Sequence, residues 1–144
     1  MPNMVFSIIG NLMILVHSAH PPTDAEWDEY LAALRARDQE KLRSLAFTDG
    51  GAPNTAQRKA LNSILQGKTS TGAVVSPNAM VRGVVTALSW FNAKIKVFSP
   101  DEVERAFEYL GIPKPEYPLV WREIRNLRAK LGDDSLKSIR EKAG

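Results

Sequence analysis

The chain has no cysteine and only two histidines, and its longest largely apolar stretch, Val5 to Val16, is broken by Ser7, Gly10 and Asn11. Without cysteine there are no disulfides and no thiolate metal sites, in keeping with a reducing compartment. The apolar stretch is too short to span a bilayer. It also lacks the basic start and small-residue cleavage site of a signal peptide. The expectation is a soluble, cytoplasmic protein with no membrane span.

Catalytic signatures are missing too. His17 and His20 have no third ligand at a recognisable metal-site spacing. No Gly-x-Ser-x-Gly elbow occurs, and Ser76 is followed by Pro77 and Asn78 where an elbow needs glycine. Gly67-Lys68-Thr69 looks like the end of a phosphate-binding loop. However, Asn62 stands where the first glycine belongs, and a helix precedes it instead of a strand. A phospho-acceptor receiver needs an acidic cluster at its strand ends, and Asp49 stands there alone. No catalytic residue, cofactor or metal is expected.

What is present fits one globular domain. The chain has 144 residues, 44% hydrophobic and 24% charged, enough for a full core. The net charge of +3 is unevenly placed: residues 114–144 hold eight Lys/Arg against five Asp/Glu, and residues 1–113 hold eleven of each. A solvated basic helix face accounts for this, and no nucleic-acid-binding signature accompanies it, so nucleic acid is not an expected partner.

One phrase occurs twice. Val74-Val75-Ser76-Pro77-Asn78 and Val97-Phe98-Ser99-Pro100-Asp101 each close a short apolar run and open a helical pattern. This is the grammar of parallel βαβ units. Upstream, Met4 to Ile9 and Leu12 to His17 flank Gly10-Asn11, a hairpin signal. Thr23 and Glu26 form a capping box ahead of Trp27, Tyr30, Leu31 and Leu34, a helical face ending near Asp38. A strand through Leu45 and Phe47 runs into the Asp49-Gly50-Gly51 turn. Asn54 or Thr55 then caps a helix carrying Leu61, Ile64 and Leu65, closed by Gly67.

Gly72 to Val75 reads as a buried strand, and the helix after Pro77 carries Met80, Val81, Val84, Val85, Leu88 and Phe91. Ile95 to Phe98 is the next strand. Ser99, Pro100 and Glu102 start a helix with Val103, Ala106, Phe107 and Leu110 inward, ended by Gly111. Pro113, Pro115 and Pro118 mark a linker. Beyond it Val120, Ile124, Leu127 and Leu131 repeat at 4-3-4 spacing, the seam of a docked or pairing helix, and residues 135–142 add a last helical turn or two. The expected fold is α/β: a mixed, mostly parallel four- to five-stranded sheet with helices packed on it, its first strand an antiparallel edge. Its domain covers residues 1–112, with a basic C-terminal helical extension over 113–144.

In such sheets ligands gather at the carboxyl ends of the parallel strands. The candidate partner or anion surface there comprises Asp49, Gly50, Gly51, Asn54, Ser76, Asn78 and Arg82. Helix capping is the plain reading of Asn54, Thr55, Ser76 and Ser99. For Arg82, the plain reading is a stem lying along apolar surface.

Segments such as Ala73-Val74-Val75-Ser76, Val84 to Leu88, Ile95 to Phe98 and Ala106 to Leu110, in this order of elements, resemble the STAS or SpoIIAA-like domain of bacterial anti-sigma-factor antagonists and their lipid-binding SEC14-like relatives. The resemblance covers about residues 4–112. It implies a non-enzymatic regulatory module that binds a protein partner and is switched by phosphorylation before the second helix. The family has Asp-Ser-Ser/Thr-Gly there. Asp49 matches the acidic position, and Thr55, then Thr48, stand in for the missing hydroxyl.

The candidate tail interface is Val120, Trp121, Arg122, Ile124, Arg125, Leu127, Arg128 and Leu131, to a partner or to a second copy of the chain in a homo-oligomer. Two alternatives remain: a small-molecule or lipid carrier of SEC14-like type, with its ligand between the sheet and the helix carrying Val81 to Phe91, and an anion-binding enzyme using Asp49, Ser76 and Arg82.

Overall fold

A computed structural model describes residues 2–65, 68, 70–77 and 94–132. Its centre is a five-stranded mixed sheet: β1 (Met4–Ile9), β2 (Leu12–His17), β3 (Arg43–Thr48), β4 (Thr71–Val75) and β5 (Lys94–Phe98). The strands lie side by side in chain order. β1 is antiparallel to β2, and every later pair is parallel. Gly10, at φ 58°, makes the left-handed turn between β1 and β2, a conformation that strains other residues.

Residues alternate across a strand, so each central strand feeds two cores. On one face Met13 and Leu15 pack with Trp27, Tyr30, Leu31 and Leu34 of α1 (Asp24–Arg35) and with Leu65 of α2 (Thr55–Leu65). On the other, Leu12, Ile14, Val16, Leu45, Phe47, Ala73 and Val75 pack under α3 (Val103–Tyr109) and α4 (Tyr117–Leu131). The described residues thus form a three-layer α/β/α arrangement, with α1 and α2 on one face of the sheet and α3 and α4 on the other.

Local signals explain most helix boundaries. Thr23 Oγ1 accepts from the Glu26 N–H at 3.1 Å, and the Glu26 carboxylate accepts from the Thr23 N–H at 2.8 Å. That carboxylate also accepts from the Asn3 N–H at 2.9 Å, tying the start of β1 to α1. Asn54, not Thr55, caps α2. Its Oδ1 accepts from the Gln57 N–H at 2.8 Å, and Gln57 Oε1 accepts from the Asn54 N–H at 2.9 Å. A short 3-10 turn, Pro100–Glu102, precedes α3, and Gly111, at φ 70°, ends it.

The C-terminal seam requires a correction. Val120, Trp121, Ile124, Leu127 and Leu131 are all buried, in the same core as Ile14, Leu45 and Phe107. α4 lies across β1 and β2, whereas α3 packs on β4 and β5. The physical reason is coverage: α3 has only seven residues, and the apolar face of the β1–β2 hairpin needs a helix of its own. These five side chains therefore cover the sheet and are not available to a partner or a second copy. Arg122 and Arg125 are exposed on the outer side, with Arg128 half-buried. The expected helix after Pro77, with Asn78 and Arg82, and the turn over 135–142 lie outside the described residues.

Candidate functional site

The carboxyl end of the sheet is closed by two loops stitched together. Residues 49–54 follow β3 and residues 18–23 follow β2. The Gly51 N–H donates to the Ser18 carbonyl at 2.9 Å. Thr48 Oγ1 donates to the Gly51 carbonyl at 2.6 Å and accepts from the Gly50 N–H at 3.0 Å. A Cβ built on Gly51 would stand 2.5 Å from the Ser18 carbonyl oxygen, and nearer still to that of His20. Gly51 is a glycine because two backbones meet there; Gly50, at φ 129°, supplies the turn.

This geometry sorts the residues proposed for phosphorylation. Thr48 is buried and its hydroxyl is engaged at both lone pair and proton, so a kinase cannot reach it without opening the loop. Thr55 is exposed at the first position of α2, and its Oγ1 accepts from Arg58 Nη2 at 3.1 Å. Asp49 and Gly50 are half-buried, Asn54 is exposed, and Ser76 is buried with its N–H donating to the Phe98 carbonyl at 3.1 Å. The structure thus brings Thr48, Asp49, Gly50 and Gly51 together with residues 18–20.

Directly beneath this closure, between the sheet and helices α1 and α2, lies a cavity of about 130 Å³. Its floor is made by small side chains. Ser44 and Ala46 of β3 pair in register with Gly72 and Val74 of β4, and all four line it. A Cβ on Gly72 would meet only ordinary contacts, the nearest Ile95 Cγ1 at 3.4 Å. The backbone there does not demand a glycine, and a methyl group would rest against Ile95 and Ser44. Leu15, Leu34, Leu61 and Leu65 form apolar walls.

Two of the residues lining this space each carry a buried polar atom without a partner. His17 Nδ1 and Asn62 Nδ2 are both buried without a hydrogen bond, and both residues line the cavity. Orphaned buried polar groups are rare, because each loses hydration worth about 1–3 kcal/mol. By contrast, the buried Gln57 is fully used: its amide donates to the Pro22 carbonyl at 3.0 Å and to Asp24 Oδ1 at 3.1 Å. Trp27 Nε1 donates to the Gln57 carbonyl at 2.9 Å. The polar economy around the cavity is tight except at those two atoms.

Burial pushes the His17 imidazole down to about 4, partly opposed by the Glu26 carboxylate, so it is neutral at pH 7. Burial likewise pushes the Tyr30 hydroxyl up to about 12, against a hydrogen bond with Ser44. His20, by contrast, is exposed on the loop. Among the described residues the arrangement has no activated nucleophile and no paired acid and base.

The sequence singles out His17 only as a metal ligand without partners and Asn62 only as the wrong residue for a phosphate-binding glycine, and it does not show the cavity. The available signal was the alternation in Arg43–Thr48, with Leu45 and Phe47 large and Ser44 and Ala46 small. The ligand space expected beneath Val81 to Phe91 concerns residues outside those described. Comparison with protein-family models, with curated proteins and with solved structures gave no match.

Proposed function

We propose that the protein is a non-enzymatic module that binds a small molecule in the cavity between the β2–β4 surface and helices α1 and α2. One observation carries this reading: an apolar cavity of about 130 Å³ between the sheet and two helices, with His17 and Asn62 among the few polar residues that line it. Apolar walls with a few convergent polar groups are the usual make-up of a ligand pocket. The reading belongs with the carrier branch of the STAS-like resemblance, with the ligand under a different helix pair.

A thermal-shift screen of small apolar compounds tests it, using the wild type and Ala46→Leu. Ala46 is half-buried and lines the cavity, so leucine extends into the space. Compounds are expected to raise the melting temperature of the wild type by a few degrees and to leave the folded variant unmoved. A set of compounds that shifts both proteins equally, or neither, sinks the reading.

A second reading is favoured by Thr55: regulation of a protein partner through the 49–55 loop. A phosphate on Thr55 would sit in the first turn of α2, beside free helix N–H groups and within reach of the Arg58 guanidinium. Arg58 Nη1 already donates to the Pro53 carbonyl at 2.8 Å, which holds its head over the loop. Phosphopeptide mapping of protein recovered from growing cells is expected to find the modification at Thr55 and to lose it in Thr55→Val. Modification at other residues alone argues against it.

A further inference from the structure

We propose that the protein is a homodimer in which the β1 edges of two copies pair antiparallel about a two-fold axis, joining their sheets into one. Among the described residues the sheet has two edges, β1 and β5. An edge strand is a row of unpaired backbone groups, and proteins usually blunt it with charge or proline. β5 is blunted in this way, with Lys94 and Lys96 exposed along it. β1, Met4–Ile9, has neither charge nor proline, and five of its six residues are half-buried.

The hairpin register identifies the backbone groups on that edge. The Ser18 N–H donates to the Asn3 carbonyl at 2.8 Å. In the antiparallel ladder Val5, Ser7 and Ile9 therefore turn their N–H and C=O groups towards β2, and Met4, Phe6 and Ile8 turn theirs outward. The Glu26 carboxylate meets the Met4 N–H at 3.4 Å. The donors left on the edge are those of Phe6 and Ile8.

A second copy is the strand that complements this row. Centred on Phe6, the pairing lets the two Phe6 residues exchange both hydrogen bonds and sets Met4 of each copy opposite Ile8 of the other. Such a contact is self-complementary and closes at two chains. No like charges meet along the strands, whereas the same pairing through β5 would bring Lys96 up against its own copy, which destabilises. At the Met4 end lies a groove of about 310 Å³, lined by Pro2, Met4, Val5 and Phe6 between Glu26 and Glu29 of α1 and Lys130 of α4. The register lays the apolar Ile8–Ile9 end of the second copy beside this groove. It also keeps the two Glu26 carboxylates, one at each Met4 end, roughly 14 Å apart along the strands, beyond the screening length at physiological salt.

Analytical ultracentrifugation of the full chain tests this, with an expected mass twice the 16.0 kDa of one chain. Ile8→Pro removes an outward N–H and leaves the bonds to β2 in place, a substitution that edge strands tolerate. It is expected to sediment as a monomer and still melt cooperatively. Lys96→Glu, on the other edge, is expected to remain a dimer. Amide exchange on the wild type reads the same site without any variant, so the test survives if the proline variant does not fold. At high concentration the Phe6 and Ile8 N–H groups are expected to exchange slowly, and those of Ile95 and Val97 fast. A monomeric wild type overturns the pairing, and so does fast exchange at Phe6 and Ile8 in concentrated protein. A folded Ile8→Pro that stays dimeric, or a dimer lost in Lys96→Glu, places the contact elsewhere and overturns it equally.

Discussion

Replacing Ile124 and Leu127 together by aspartate is expected to abolish folding, leaving a chain without cooperative thermal or urea transitions. Both side chains are buried, at 0% and 1% exposure, and both belong to the core shared by α3, α4 and the sheet. α4 buries five large apolar side chains, each worth about 2 kcal/mol of transfer free energy, on the order of 10 kcal/mol in all. That matches the whole stability of a typical domain, roughly 5–15 kcal/mol. Two carboxylates in this position would add desolvation costs with no partner to offset them. A milder version gives a measurable number: Ile124→Ala is expected to cost about 3 kcal/mol in urea unfolding. A double variant that keeps a cooperative transition and merely loses self-association would mean that α4 is a detachable pairing element after all.

Mild acid is expected to weaken the protein well before its carboxylates titrate. The His17 imidazole protonates near 6.5 in the unfolded chain and only near 4 in the fold, because burial opposes its charge. Between those values the unfolded state binds the extra proton, so stability falls as pH falls. The contribution is complete above pH 6.5 and gone below about 4, and the difference amounts to roughly 3 kcal/mol. His17→Leu removes the dependence in that window. Urea melts of the two proteins across it separate the effect from Glu26. Burial tends to raise the Glu26 carboxyl, but the Thr23, Asn3 and Met4 N–H groups outweigh it and hold the pKa below 4.5. Losses from that group therefore come at still lower pH. A wild-type stability that stays flat down to about pH 4 would show that His17 is hydrated in the fold.

Features encoded by short-range chemistry were legible in the sequence. The Gly10-Asn11 hairpin, the Thr23–Glu26 box, the Ser99-Pro100 start and the Gly111 stop each depend on residues a few positions apart, and each stands where its pattern put it. The mixed, mostly parallel sheet followed from their order. The role of α4 did not. A 4-3-4 seam looks the same whether it docks on its own sheet or on another chain, and only the tally of uncovered sheet surface decides between them. The cavity was hidden for a related reason. Ser44 and Gly72 become neighbours only through the β3–β4 register, and an empty volume is a property of several elements at once. Gly51 was misread more simply: a glycine beside a turn reads as turn chemistry, yet its cause is the backbone of residues 18–20 pressing on it.

The strand order carries one more consequence, for the making of the chain. Every β pairing joins neighbours in sequence, so the sheet grows one strand at a time as the polypeptide emerges. Among the described elements, the helix that shields the first two strands comes last. Until Leu131 has left the ribosome, Val5, Ile9, Leu12, Ile14 and Val16 present a bare greasy surface while the opposite layer is already closed by α1 and α2. The nascent chain is therefore lopsided for much of its synthesis, and translation speed over α4 sets how long that surface stays open to aggregation or to a chaperone.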